Sequence, residues 1–133
     1  MFKSPIIHTF SKYVIVTQKK LKEDTSYIKS EYPKTWEYLN KNIALFEHRK
    51  SSIYKGAPKF SMFGIGDYSY SFYKVGISGF YKRPLFSLLY SGDKKPVMTD
   101  DTCYFICFDS YDMAYIAMLL LNSDYVQEFL TNI

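Results

Sequence analysis

The chain holds only two cysteines and two histidines in 133 residues. Cys103 and Cys107 stand four apart, with no second cysteine pair, and His8 and His48 lie far away in sequence. That leaves no complete zinc set. Residues four apart on a strand share a face but are too distant for a disulfide, so two buried free thiols are expected. No Ser/His/Asp or Cys/His constellation for nucleophilic catalysis stands out. Long apolar runs are also missing. The longest is "MAYIAMLLL" (113–121), against about 20 residues needed to cross a bilayer. The first residues, "MFKSPIIHTFSKYVIV", lack the apolar core and small-residue cleavage site of a secretory signal. These absences predict a cytoplasmic chain with no membrane contact.

Glycine motifs are incomplete as well. Gly64-Ile65-Gly66 has no third glycine at the required offset, and the text after it is strand-like instead of helical. A dinucleotide or S-adenosylmethionine loop needs a tight glycine turn followed by a helix N-terminus, so that reading fails. No Gly-Lys-Ser/Thr occurs, which excludes a P-loop. The glycines are better suited to letting strands turn or bulge.

What the chain does have is aromatic residues, 20% of the total with 14 Tyr and 11 Phe. Tyrosine joins a flat apolar face to a hydroxyl, and its excess marks either an aromatic core or an interface. With 47% hydrophobic and 23% charged residues, the composition is that of a folded domain and argues against disorder. The length predicts one domain with a single core, spanning 1–133. Charge is uneven. Residues 1–60 hold twelve Lys/Arg against five Asp/Glu, whereas residues 61–133 hold five against eight. A basic half points to a polyanion or an acidic partner.

Hydrophobic spacing predicts an α+β fold with a mixed or antiparallel sheet. "KYVIVTQKK" (12–20) reads as a strand, with a second short strand at Thr25 to Lys29. Pro33 suits a helix first turn, and Trp36, Leu39, Ile43 and Phe46 fall on one helical stripe, opposite Lys34, Glu37, Lys41 and Glu47. This predicts a helix over about 33–50, with cations at its C-terminal end in "EHRKSS". From 60 to 108 the runs "FSMFGIG", "YKVGIS", "LFSLLYS" and "CYFICFD" read as strands, with "SGDKKP" (91–96) as a hairpin loop. In a strand at "YSYSFYK", Tyr68, Tyr70 and Phe72 would line one face and Ser69, Ser71 and Tyr73 the other. Asp109 or Ser110 caps a helix over about 110–121. That helix is apolar nearly all round and is expected to be buried. A final helix covers about 123–132.

Three stretches mix Tyr with Lys or Arg: "HRKSSIYKG", "YSYSFYK" and "GFYKRP". Lysine, arginine and serine contact phosphates or base edges, while tyrosine stacks or touches thymine methyls. The candidate DNA contacts are Arg49, Lys50, Ser51, Tyr54 and Lys55, then Tyr68, Tyr70 and Lys74, then Tyr81, Lys82 and Arg83. Tyr70→Ala and Lys74→Ala are expected to alter binding without unfolding the domain. A competing reading is a small Mg²⁺-dependent nuclease built on Asp67, Asp93 and Lys95, because Asp-x-Lys units can hold a metal and orient water. Gly-Asp-Lys-Lys is also ordinary turn chemistry. A third reading is a protein-interaction module that docks through the 113–121 helix.

The stretches "YPKTWEYLNKNIALFEHRKSSIYKG", "FSMFGIGDYSYSFYKVGISGFYK", "KPVMTDDTCYF" and "LLLNSDYVQEFL" together resemble a family. It is the C-terminal, Taq-like target recognition domain of bacterial adenine-N6 DNA methyltransferases in type IIG and related type II restriction–modification systems. Pro33, Tyr38, Leu39 and Arg49 match its helix, and Leu121-Asn122-Ser123 its C-terminal motif. The resemblance runs from about Val14 to Ile133. It implies sequence-specific recognition of double-stranded DNA and a methyltransferase catalytic domain in the same or a partner chain. The S-adenosylmethionine loop and the Asn-Pro-Pro-Tyr motif that grips a flipped adenine are absent here. Base flipping and methyl transfer need that pocket. The resemblance therefore implies a non-catalytic recognition part, a fragment or a separately encoded module. The cofactor would belong to the parent enzyme, which in this family also carries an endonuclease domain in some members.

Overall fold

The computed structural model describes residues 12–20, 22–80, 82–92 and 95–132. It divides into two compact units, one of Val14–Asp67 and one running from Tyr68 onward. Where a single core was expected, each unit has its own apolar cluster. The fold is α+β, with helices and one three-stranded antiparallel sheet among the described residues.

In the first unit, α1 (Tyr27–Glu31), α2 (Pro33–Lys41) and α3 (Ile43–Glu47) follow one another closely. The predicted stripe is real. Leu39 is buried with Ile28 and Phe60, and Trp36, Ile43 and Phe46 pack on them. The predicted single helix is not continuous, because the backbone leaves helical geometry at Asn42 (φ −107°, ψ 17°). Its side-chain amide donates to the Tyr38 carbonyl at 2.9 Å, the acceptor that its own backbone N–H would use in an unbroken helix. This is the local competition by which Asn interrupts helices. The short strand expected at Thr25–Lys29 is instead the entry to α1. Asp24 accepts from the Ser26 N–H at 3.0 Å, an Asx turn that starts the helix.

Neither "KYVIVTQKK" nor "FSMFGIG" forms a strand. They meet through side chains. Four consecutive carbonyls each accept from a side-chain donor: Lys59 from Thr25, Phe60 from Thr17, Ser61 from Arg49 and Met62 from Gln18. The Gln18 amide pairs with both backbone groups of Met62, at 3.0 and 3.1 Å. It thus makes the two bonds that a strand neighbour would make. Polar Thr17 and Gln18 are buried as a result, while Tyr13, Val14 and Ile15 are exposed. The same grip holds Phe60 at φ +64°, a left-handed conformation unusual for a bulky residue. Its buried ring meets Trp36 and Phe46 edge-on, at centroid distances of 5.3 and 5.1 Å.

The second unit is built on a sheet of order β2-β1-β3, with β1 Tyr73–Ser78, β2 Ser87–Leu89 and β3 Cys103–Phe108. Val75 pairs with Leu88 on one side and Ile106 on the other. α4 (Tyr111–Leu121) covers that face, and Val75, Leu88, Ala114 and Met118 form the core. At Gly76 a Cβ would lie 2.8 Å from Leu89 Cδ1 and 3.3 Å from Cys103 Sγ, so a side chain there would push the Leu89 and Cys103 side chains aside. β2 and β3 both pair with β1 and not with each other. The expected hairpin pairing of the strands on either side of 91–96 is thus not formed by β2 and β3, and Asp93 and Lys94 lie outside the described residues. Of the two capping candidates, Ser110 caps α4, its Oγ accepting from the Met113 N–H at 3.3 Å. α5 is Asp124–Thr131. α4 is not buried all round: only Ala114 and Met118 are enclosed.

Asn122, between α4 and α5, donates to the Phe86 carbonyl at 2.8 Å and accepts from the Phe86 N–H at 2.9 Å. Gln127 of α5 donates to the carbonyls of Pro84 and Leu121. The Leu-Asn-Ser stretch is thus a clamp on the strand entering β2. Losing two partly buried hydrogen bonds costs about 2 kcal/mol. Asn122→Ala is expected to lower stability by about that amount, read from the midpoint of urea unfolding at an unchanged slope.

Candidate nucleic-acid interface

The candidate contacts fall into two groups, Arg49 to Lys55 in the first unit and Tyr68 to Arg83 in the second. After α3 the chain turns through a 3₁₀ segment, Ser52–Tyr54. Arg49 Nε donates to the Phe46 carbonyl at 3.1 Å, and Nη1 donates to Ser61. Its guanidinium lies 3.7 Å from the Tyr54 ring centroid and 5.0 Å from that of Phe46. This arginine is a structural tie that uses its planar fork and its stacking face together. Tyr54 is the other half of that tie. Ser51 accepts from the Ile53 N–H at 3.4 Å and starts the turn. Lys50 and Lys55 flank it, both exposed. Gly56 closes the loop at φ +70°, where a side chain would be strained. The structure thus brings Arg49, Lys50, Ser51, Tyr54 and Lys55 into one loop. Its two lysines face solvent and its arginine faces inward.

The second group fares differently. The predicted strand at "YSYSFYK" is a 3₁₀ turn over Asp67–Tyr70, so Tyr and Ser do not alternate between two faces. Ser69 is buried. Tyr68 remains exposed, its ring tilted against Phe105 at 5.8 Å. Tyr70 is half-buried. Lys82 and Arg83 are exposed, and Tyr81 lies outside the described residues.

Lys74 is the clearest correction. It is 1% exposed, and its ammonium donates to the carbonyls of Ser69 (2.9 Å), Ser71 (2.8 Å) and Val97 (2.7 Å). Three donors meet three acceptors, which is the full capacity of an ammonium. The cation is committed inside the fold and cannot reach DNA. The same bonds explain the lost strand, because they draw the carbonyls of Ser69 and Ser71 inward to one point.

α2 carries a further exposed group of candidates. Lys34, Tyr38 and Lys41 are all exposed, and their i, i+4, i+7 spacing puts them on one stripe. Periodicity places the two lysines on the outer face, and Tyr38, next to the core residue Leu39, lies exposed between them. The unit Val14–Asp67 carries ten Lys/Arg against six Asp/Glu. From Pro96 to the end there are six Asp/Glu and no Lys, Arg or His. Positive charge is therefore concentrated in the first unit.

Of the nuclease candidates, Asp67 and Lys95 are described and Asp93 lies outside the described residues. Among the described residues, no group of three or more His, Cys, Asp or Glu side chains could hold a metal ion. Asp100 accepts from the side chain and backbone of Thr102, at 2.6 and 3.0 Å, and these bonds hold its carboxyl below the usual range. Cys103 is half-buried and burial pushes its thiol up, whereas Cys107 is exposed, contrary to the expected pair of buried thiols. Among the described residues no helix is long and apolar enough to cross a membrane.

The chain is 41% identical over 127 residues to "Type II methyltransferase M.NspV" of Nostoc sp. (strain ATCC 29411 / PCC 7524). The similarity covers 96% of this chain and 26% of that relative. The chain thus spans about a quarter of the length of the curated relative it matches. No family model and no solved structure matches it.

Burial lowers the Lys74 ammonium from its ordinary value to about 8, while the thiols of Cys107 and Cys103 act in the opposite direction. Between about pH 8 and 10.5 the unfolded chain keeps this proton and the folded chain loses it. Stability contributed by Lys74 therefore rises with pH across that window and is flat below it. Lys74→Met would leave three inward carbonyls without their donor. It is expected to destabilise the protein by at least about 3 kcal/mol at pH 7. The difference in unfolding free energy between wild type and variant, measured by urea denaturation from pH 7 to 10.5, should widen as pH rises. Lys74→Ala, which also removes the enclosed alkyl stem, is expected to destabilise the domain at least as much as Lys74→Met and not to act on binding alone.

Proposed function

We propose that this chain is the double-stranded DNA recognition part of a restriction–modification adenine-N6 DNA methyltransferase, non-catalytic by itself and cytoplasmic. The observation that carries this reading is the 41% identity to part of a type II methyltransferase along nearly the whole chain. The match covers only a quarter of that relative. S-adenosylmethionine binding, adenine binding and methyl transfer would thus belong to the remainder of such an enzyme, in the same or a partner chain. The concentration of positive charge in Val14–Asp67 supports DNA as the ligand. Lysines there would neutralise phosphates and release counterions, setting register on the duplex.

In this reading the loop Lys50–Lys55 and the α2 stripe of Lys34, Tyr38 and Lys41 are the contact surfaces, with Lys82, Arg83 and Tyr68 offered from the second unit. Arg49 and Tyr54 hold the loop in shape and act through it. Lysine contacts to phosphate strengthen binding to all sequences alike, so base discrimination would come from Tyr38, Tyr68 and Arg83.

Titration of a labelled duplex at several salt concentrations tests the proposal. Each phosphate contact contributes about 0.9 to the slope of log K against log salt. The double change Lys50→Ala/Lys55→Ala should reduce that slope by about 2, with unfolding unchanged. A chain that shows no salt-dependent DNA binding, alone or with its methyltransferase partner, would end this reading.

A further inference from the structure

α4 is apolar on nearly every side but buries only one of them. Met113 (58% exposed), Ile116 (51%) and Leu120 (61%) form an outward stripe at i, i+3 and i+7, with Tyr115 (41%) and Leu119 (50%) one turn apart beside it. A helix hydrophobic all round is normally enclosed on all sides, and contiguous exposed apolar surface marks an interaction site. The charge around it narrows the choice of occupant. The stretch from Pro96 onward has six acids and no base, and Asp109, Asp112, Asp124 and Glu128 lie on or next to α4 and α5. Phosphate would be repelled there, so DNA is not what covers this face. A two-fold pairing of copies would set the same acidic rim against itself, which disfavours a second copy.

We infer that the exposed stripe of α4 docks on the methyltransferase body, in the same or a partner chain, against an apolar surface rimmed by Lys or Arg. The inference rests on the function proposed above. The matched relative is about four times as long as the region this chain covers, so three quarters of such an enzyme is available to supply that surface. The molecule then uses opposite chemistries for its two partners. The basic Val14–Asp67 unit meets nucleic acid, and the acidic, apolar α4 meets protein. Burial of the stripe follows the usual interface pattern, an apolar centre with charges at the rim.

Site-specific photo-crosslinking in the host cell tests this. Benzoylphenylalanine is placed at Ile116 or Leu120 of the full chain, and at the exposed Leu45 as a control. The expected result is an adduct from positions 116 and 120, but not from 45, to peptides of a methyltransferase outside the region matched by this chain. Ile116→Glu/Leu120→Glu should reduce recovery of that methyltransferase at least tenfold while leaving the thermal midpoint within a few degrees, because both side chains face solvent. Adducts to a second copy, to an unrelated protein or to nothing would overturn the inference. Salt-dependent duplex binding is measured on the same preparations. If it persists without the methyltransferase adduct, the docking assignment fails and the DNA reading stands. If neither is seen, both fail.

Discussion

A buried carbonyl must find a donor, and in this protein that requirement is met largely by side chains. The only sheet among the described residues has three short strands, so much of the enclosed backbone has no ladder to join. Thr17, Gln18, Thr25 and Arg49 supply donors to Lys59 through Met62. Lys74 supplies three to the second unit, and Asn122 and Gln127 hold the chain entering β2. No buried side-chain nitrogen or oxygen among the described residues is left without a partner. Each bond contributes only about 1 kcal/mol net, but leaving its acceptor bare costs more than that. The polar residues of the interior are therefore as necessary to the fold as its apolar ones.

That arrangement decides which cations are available for binding. Lysine and arginine have two uses here, and their positions in the fold separate them. Arg49 spans Phe46, Tyr54 and Ser61, and Lys74 is enclosed by carbonyls. Lys59 is tied to Asn40 at 2.8 Å and lies 5.3 Å from the Trp36 ring centroid. Lys34, Lys41, Lys50 and Lys55 are left exposed. A count of basic residues overstates the interface, because part of that charge is spent on holding loops. What remains free is concentrated on the unit whose sequence already had the excess.

The opposite end of the chain is acidic and apolar, and the two properties fit together. A helix that buries Ala114 and Met118 inward and leaves Met113, Ile116 and Leu120 outward has more hydrophobic surface than its own unit can cover. Acidic neighbours keep such a surface soluble and repel nucleic acid from it. Tyr125 and Phe129, one turn apart on α5, are also exposed. The relative that matches this chain is several times longer.

Local sequence was sufficient for the helices and strands whose own periodicity or capping decides them. α4 and α5, the stripe from Trp36 to Phe46, the Pro33 start, the Ser110 cap, β1 and β3 all follow from residue spacing, because neighbours within a few residues set their geometry. The positive charge of the first half and the absence of bases after Lys95 were equally plain. Tertiary structure alone decided the rest. "KYVIVTQKK" has every strand preference, yet Thr17 and Gln18 reach carbonyls more than forty residues away, and no local pattern encodes that. Asn42 divides one predicted helix because its side chain competes for a carbonyl. Lys74 reads as a surface cation until Ser69, Ser71 and Val97 converge on it. α4 reads as buried until only half of it proves to be covered. Periodicity sets which way a side chain points along its own element. Whether another part of the chain is there to receive it depends on contacts that are distant in sequence.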